Sequence, residues 1–309
     1  MSQVTVIHQV PERDEVFLDH VGWFAASMDE ASRSFGRLGF LLTPYTEHRN
    51  AAADGSSVPA GTANRCAMLE RGYLEIVTAV KDSDAALTQQ LRAGLARGAG
   101  VHVVAFTCSD AERERARLSL AGFDPQPVVH LRRPVVLDNG AGAVTAFSVV
   151  RTPPSAMPEG RIQFLQQQTP ELVWQPALIA RDNGIEALTG VLIAVRDVDE
   201  AAGRFARFTG RRATQVDGGC AVIALDRGRL AFAAPESLQR FGAAALAPPF
   251  IAAVGLRSSD LDRTRSCLNK NGIRPLADAD DHIVVGADDA AGTALLIHAQ
   301  GADERLHSR

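Results

Sequence analysis

The sequence predicts an α+β fold in which four βαβββ modules pair into two domains, each a curved mixed sheet shaped into a cup. Three observations predict it. A strand that runs into a short amphipathic helix recurs four times along the 309 residues. Each of those helices stops at a glycine: Gly39, Gly122, Gly210 or Gly272. Further strands fill the intervals, at periods of roughly 60 to 90 residues, and a single copy cannot bury both its helix and its sheet face.

The first copy opens at Phe17, where FLDHVGWFAA reads as a buried strand. Ser27 is the N-cap of the helix that follows, with Glu30 three residues on as in a capping box. Ala31, Phe35 and Leu38 mark its apolar face. Strands then read in LLTPYTEHR, in NRCAMLERG after the loop AAADGSSVPAG, and in YLEIVTAV, with Arg71-Gly72 as a hairpin turn. The second copy runs GVHVVAFT, the helix SDAERERARLSLAGF, the extended FDPQPVVHLRR, then GAVTAFSVVR and GRIQFLQQ. The third begins at Gly190 with GVLIAVRDVDEAAGRFARFTG and ends in CAVIALDRG and RLAFAAPE. The fourth joins FIAAVGLRSSDLDRTRSCLNKNGI to HIVVGADDAAGTALLIHAQ. Pro, Asn and Gly break the periodicity between Leu172 and Gly184. The expected domains are therefore residues 15–175 and 185–300.

Composition narrows the function. Net charge is −4, so no basic field is available for nucleic acid or an anionic membrane surface. All but two of the 32 basic side chains are arginines, forked donors suited to carboxylates or phosphates. No apolar run approaches the ~18 residues of a membrane helix, and the opening residues lack a signal-peptide pattern. Cys66, Cys108, Cys220 and Cys267 are scattered, without zinc-like spacing, and fit reduced thiols. A cytoplasmic protein is expected. Phosphate-loop, dinucleotide, zinc-protease and nucleophile-elbow signatures do not occur.

The module order resembles the vicinal oxygen chelate superfamily: glyoxalases, extradiol dioxygenases, and the fosfomycin and bleomycin resistance proteins. The first module is similar to the group called glyoxalase-like domain, whose H…GTxN…GYLEL pattern is matched by His48, Gly61, Thr62, Asn64, Gly72, Tyr73, Leu74 and Glu75. The resemblance implies metal ligands on the first and last strands of paired modules. Those positions hold His20, Glu75 and His102, with Gln163 opposite Glu75 when GYLEIV is aligned on GRIQFL. It implies a single divalent ion, with Fe, Mn, Ni, Co and Zn all compatible.

The residues support this independently. His20 and His102 sit in strongly apolar strands, where an imidazole needs a partner. Glu75 lies in YLEIVTAV, where a buried carboxylate demands a cation or a donor. The second half serves as an internal control, with Gly190, Ala231, Ala253 and Leu295 at the aligned positions. His48 and Asn64 at the rim are candidates for substrate contact or turn stabilisation. Arg65 and Arg151 are candidates to clamp an anion or to lie solvated. Of the run Gln166 to Gln168, one or two side chains are expected in the cup.

The favoured expectation is a metal-dependent glyoxalase-like enzyme, an isomerase or lyase, on a small substrate that chelates through vicinal oxygens. Glu75 is the candidate catalytic base. The second domain then has a structural role, as a homodimer contact or as closure of the cup. An extradiol-type dioxygenase with two His and one Glu on Fe(II), a metal-free binder of the bleomycin-resistance kind, and a catalytically dead scaffold stay open.

Overall fold

The same helix is built four times. Ser27, Asp110, Asp197 and Asp260 each accept a hydrogen bond at the helix start from the backbone amide three residues on, of Glu30, Arg113, Glu200 and Arg263. Gly39, Gly122, Gly210 and Gly272 end the four with φ of +81°, +86°, +67° and +69°. That left-handed turn costs glycine nothing. A computed structural model describes residues 8–51, 57–80, 84–137, 140–179, 182–242 and 246–302.

The first module comprises β1 (Phe17–Phe24), α1 (Met28–Arg37), β2 (Thr46–Ala51), β3 (Ser57–Met68) and β4 (Tyr73–Ala79). Helix α2 (Ala86–Arg97) leads to the second: β5 (Gly100–Thr107), α3 (Ala111–Leu120), β6 (Val129–Val136), β7 (Gly142–Arg151) and β8 (Arg161–Gln167). After the short α4 (Pro170–Val173) come β9 (Ile185–Ala194), α5 (Val198–Thr209), β10 (Ala213–Val216), β11 (Cys220–Ala224) and β12 (Arg229–Ala233). The last module is β13 (Phe250–Ser258), α6 (Leu261–Lys270), β14 (Ala277–Asp278), β15 (His282–Val285) and β16 (Ala294–His298).

These strands form two eight-stranded mixed sheets, ordered β2-β3-β4-β1-β5-β8-β7-β6 and β10-β11-β12-β9-β13-β16-β15-β14. In each, the first strands of two modules meet antiparallel at the centre and each lies parallel to its own module's last strand. The α+β architecture of two cups is thus the one the repeat predicts.

Three features differ in detail. The strand read from Leu41 starts at Thr46, because Pro44 has no amide to add to a ladder. The loop expected between Ala51 and Gly61 is shorter, since β3 begins at Ser57; residues 52–56 lie outside the description. Helix α2 was not foreseen at all. The turn at Gly72 has φ +77°, and a Cβ there would come within 2.8 Å of the Asp19 carbonyl oxygen.

Alternation sends one face of each sheet to the helices and the other into a cup. The helix-side residues of both sheets merge into a single core that includes Trp23, Phe106, Phe164, Phe205, Phe208 and Phe232. Phe208 of α5 stacks on Phe164 of the first sheet at 5.2 Å, and Trp23 Nε1 donates to the Ala290 carbonyl at 3.0 Å. The four repeated helices lie outside the cups, each with one face against this shared core.

The second cup is filled. Leu192, Ala231, Ala253, Ala294 and Leu296 line it, and Leu238 and Phe241, from a helical turn over Pro235–Phe241, are buried among them.

Candidate functional site

The first cup keeps polar groups on its floor. On β4, Tyr73, Glu75 and Val77 face it, while Leu74 and Ile76 join the shared core. Glu75 lies opposite Gly22 of β1, where a Cβ would stand 3.4 Å from Glu75 Oε2 and 2.9 Å from the Val103 side chain. Glycine is thus required by the close approach of β5 beside the carboxylate.

Two imidazoles approach that carboxylate, His20 Nε2 at 3.9 Å from Oε2 and His48 Nε2 at 3.8 Å from Oε1. Asn64 Nδ2 donates to Oε1 at 2.6 Å. Each imidazole is anchored behind. His20 Nδ1 donates to Asp19 Oδ1 at 2.7 Å, and Asp19 Oδ2 accepts from Thr107 Oγ1 at 2.8 Å and Gln167 Nε2 at 3.1 Å. His48 Nδ1 shares a hydrogen bond with Thr62 Oγ1 at 2.9 Å. With Nδ1 engaged, both rings turn Nε2 toward Glu75. Tyr73 stacks on His20 at 4.4 Å, and the fully buried Trp174 of the connecting segment packs edge-on against Tyr73.

The field around Glu75 is positive. Half-buried Arg133, Arg151 and Arg161 lie close enough for their charges to act on His48; Arg133 and Arg161 each interact with Arg151 and with Glu75. Among the described residues, no carboxylate lies within salt-bridge distance of the three guanidinium groups. Burial lowers the pKa of all three. Arg161 is pushed down to about 9, by burial first and by Arg151 second. His48 is pushed down to about 4 by burial, against the pull of Glu75 and with the help of the arginines. Burial alone would raise the Asp19 carboxyl, but the hydrogen bond and charge of His20 hold it below its usual range.

Other expected positions are displaced. His20 faces Ala105 and Gly22 faces Val103 across the β1–β5 ladder, so exchanging the modules carries His20 onto Val103, not His102. His102 is the extra residue of a bulge and the counterpart of Asp19, the bulge residue of β1. Its Nε2 donates to the Gly98 carbonyl at 2.8 Å, and its ring stacks on Phe24. The second sheet bulges at Thr189 and Ala252, and Leu296 rather than Leu295 is the counterpart of Gln163. Arg65 points away from the cup, to the Thr43 carbonyl and Ser32, because Asn64 and Cys66 take the inward positions. Arg151 and Gln163 face each other on β7 and β8, and Arg151 Nε and Gln163 Oε1 are buried without a hydrogen-bond partner among the described residues. Of the glutamine run, Gln167 reaches the cup through Asp19, whereas Gln166 accepts from the Ala111 amide at the start of α3.

A divalent ion held by His20, Glu75, His102 and Gln163 does not suit this arrangement. His102 is turned elsewhere, and among the described residues no three His, Cys, Asp or Glu side chains close around one point. Three guanidinium groups beside a single carboxylate also oppose a dication, whether Fe, Mn, Ni, Co or Zn. The residues do not fit the metal.

Sequence reasoning missed Asp19, Arg133 and Arg161. Arg161 could have been found, since it stands two residues before Gln163 and therefore on the same face. Asp19 could not, because alternation turns it away and only the bulge brings it back.

A family model described as "Glyoxalase-like domain" matches residues 18–209. Comparison with curated proteins gives no match. Among solved structures, a hypothetical protein from Staphylococcus aureus superimposes with a TM-score of 0.65 at 9% identity, over 92% of this chain and 99% of that one. A mutant of 4-hydroxymandelate synthase from Streptomyces coelicolor gives 0.55 at 14% identity, over 93% and 94% of the two chains. A fusion of a xylose isomerase-like TIM barrel with 4-hydroxyphenylpyruvate dioxygenase gives 0.55 at 10% identity, over 97% of this chain and 51% of that one.

Proposed function

The chain belongs to the glyoxalase-like domain family, within the vicinal oxygen chelate superfamily, and on that premise we propose that its first cup is an active site for proton transfer on a small oxygenated molecule, of the isomerase or lyase kind. One observation carries the reading. Glu75 stands in an otherwise apolar strand with two imidazole nitrogens turned to its two oxygens, while the second cup has Gly190 and Ala231 at the places of His20 and Glu75. The likeness to the two named dioxygenase-class structures is at 14% and 10% identity and speaks for the fold alone.

Asn64 occupies Oε1, which leaves Oε2, on the side of His20, as the basic oxygen. Glu75 takes a proton from a carbon next to a carbonyl, and the C–H electron pair moves onto the carbonyl oxygen. The charge that develops on that oxygen is stabilised by Arg133 and Arg161, already fixed nearby. Where that carbon bears a hydroxyl, Glu75 then delivers its proton to the former carbonyl carbon while the hydroxyl proton passes by way of His20 Nε2 to the other oxygen, which completes the isomerisation. His20, held by Asp19, orients a substrate hydroxyl through Nε2. His48 stays neutral at pH 7, so it adds no positive charge that would quench the base. Members of the superfamily typically bind a divalent metal; the donor arrangement of this cup is why the proposed chemistry rests on the chain's own groups.

The test is deuterium uptake in D2O, followed by NMR, at the carbon next to the carbonyl in a panel of hydroxyketones and 2-oxo acids. The wild-type protein should exchange at least one member, and Glu75→Gln should be slower by at least ~100-fold. Equal rates would sink the assignment of Glu75. Loss of exchange on adding a chelator, with recovery on adding a divalent ion, would overturn the metal-free route.

A further inference from the structure

A cavity of about 230 Å³ adjoins the first cup, beneath α2 and bounded by residues 152–158. Its wall has two characters. Phe24, Pro153, Pro154, Met157 and Ile162 give it apolar surface. Arg97, Arg151 and Arg161 give it positive charge, Arg161 lying over the Phe24 ring at 6.0 Å, and none of its described lining residues is a carboxylate.

The three arginines are not equivalent. Arg97 is taken up by the carbonyls of Pro158 and Pro249. Arg161 is steadied by Gln90 of α2, which accepts from its Nε at 2.8 Å and also from its Nη2. Arg151 has a buried Nε without a hydrogen-bond partner among the described residues. Among the described residues neither guanidinium of this adjacent, half-buried pair has a carboxylate within salt-bridge distance, which is costly. A planar fork beside an apolar wall suits a planar anion that carries an apolar body.

We propose that this cavity binds an organic acid, its carboxylate on Arg151 and Arg161 and its apolar chain or ring against Phe24, Met157 and Ile162. The inference rests on the reading of the first cup as the reaction site in one respect, that the bound acid would present its nearby carbons to Glu75. The binding itself is separable from that reading.

Calorimetric titration with octanoate and phenylacetate, beside octanamide, phenylacetamide and inorganic phosphate, tests it. Both acids should bind at least ten times more tightly than their amides. Arg151→Met should weaken the acids at least tenfold and leave the amides unchanged, and Arg151→Lys should recover part of the loss. Without ligand, Arg151→Met should melt at or above the wild-type temperature, because it removes an uncompensated charge; a lower melting point with unchanged acid binding would overturn the proposal. Equal affinity for acids and amides, or phosphate binding as tight as the acids, would also overturn it. Glu75→Gln should keep acid binding. Acid binding through Arg151 without deuterium exchange would uphold this inference and defeat the proton-transfer reading, and exchange without acid binding would do the reverse.

Discussion

His48 is a buried base held without a charge, and its energetics can be measured. Burial pushes its imidazole down to about 4, against 6.5 for the exposed group, so the unfolded chain takes up the proton first as pH falls. The stability tied to neutral His48 is therefore complete above pH 6.5 and drains away as pH drops toward 4. Between pH 7 and 4.5 the loss from this residue should be about 2–3 kcal/mol. Urea unfolding at both pH values should show His48→Asn losing less stability across that interval than the wild type; parallel losses would refute the assignment. At this scale the sequence was partly legible. Asn64 and Glu75 sit in regularly paired strands, His48 lies where the β2–β3 register shifts, and the structure brings the three together. His102 misled because one extra residue in β5 turns its ring from the floor toward α2, and a bulge leaves no mark in a hydrophobic pattern.

Helix α2 shows the same limit in an element. Leu91 packs with Phe24, Val77 and Val103 and so covers one end of the first cup, with Leu95 beside it. The four repeated helices were readable because each has a side-chain cap at its start and a glycine at its end. Helix α2 starts at Ala85, which offers no side-chain cap, and carries Gly94 in its interior. The spacing of Thr88, Leu91 and Leu95 was the available signal, and it is short. Leu91→Ala should cost about 2–4 kcal/mol in urea unfolding. Amide exchange should accelerate across residues 86–97 before it does in β1 or β5. A cost below about 0.5 kcal/mol, within the range of a surface change, would show that α2 is not seated on the cup.

The two sheets share one core, and a buried ion pair also ties the halves together. Arg204 of α5 donates to both oxygens of Glu159, at 2.9 and 2.7 Å, and the Glu159 side chain is fully buried. Arg204→Met should cost about 3–5 kcal/mol, because it strands a buried carboxylate. Glu159→Gln in the same chain should recover part of that loss. If the single variant is as stable as the wild type, the halves do not depend on this pair. Unfolding should be one transition for the whole chain, since the helix-side core is shared by both halves. The pairing of modules was legible from the repeat, whereas the back-to-back packing was not, because apolar periodicity says which face is buried but not against what.

The closed second hollow changes what the open one is free to do. A duplicated unit filled with its own aliphatic side chains acts as ballast, holding its twin in shape through their common interior. The residues around Glu75 are thereby relieved of keeping the chain folded and can retain unpaired, repelling charges that a lone unit would have to discard. Division of labour between the copies gives the lineage room to try new chemistry in one hollow while the other keeps the molecule intact.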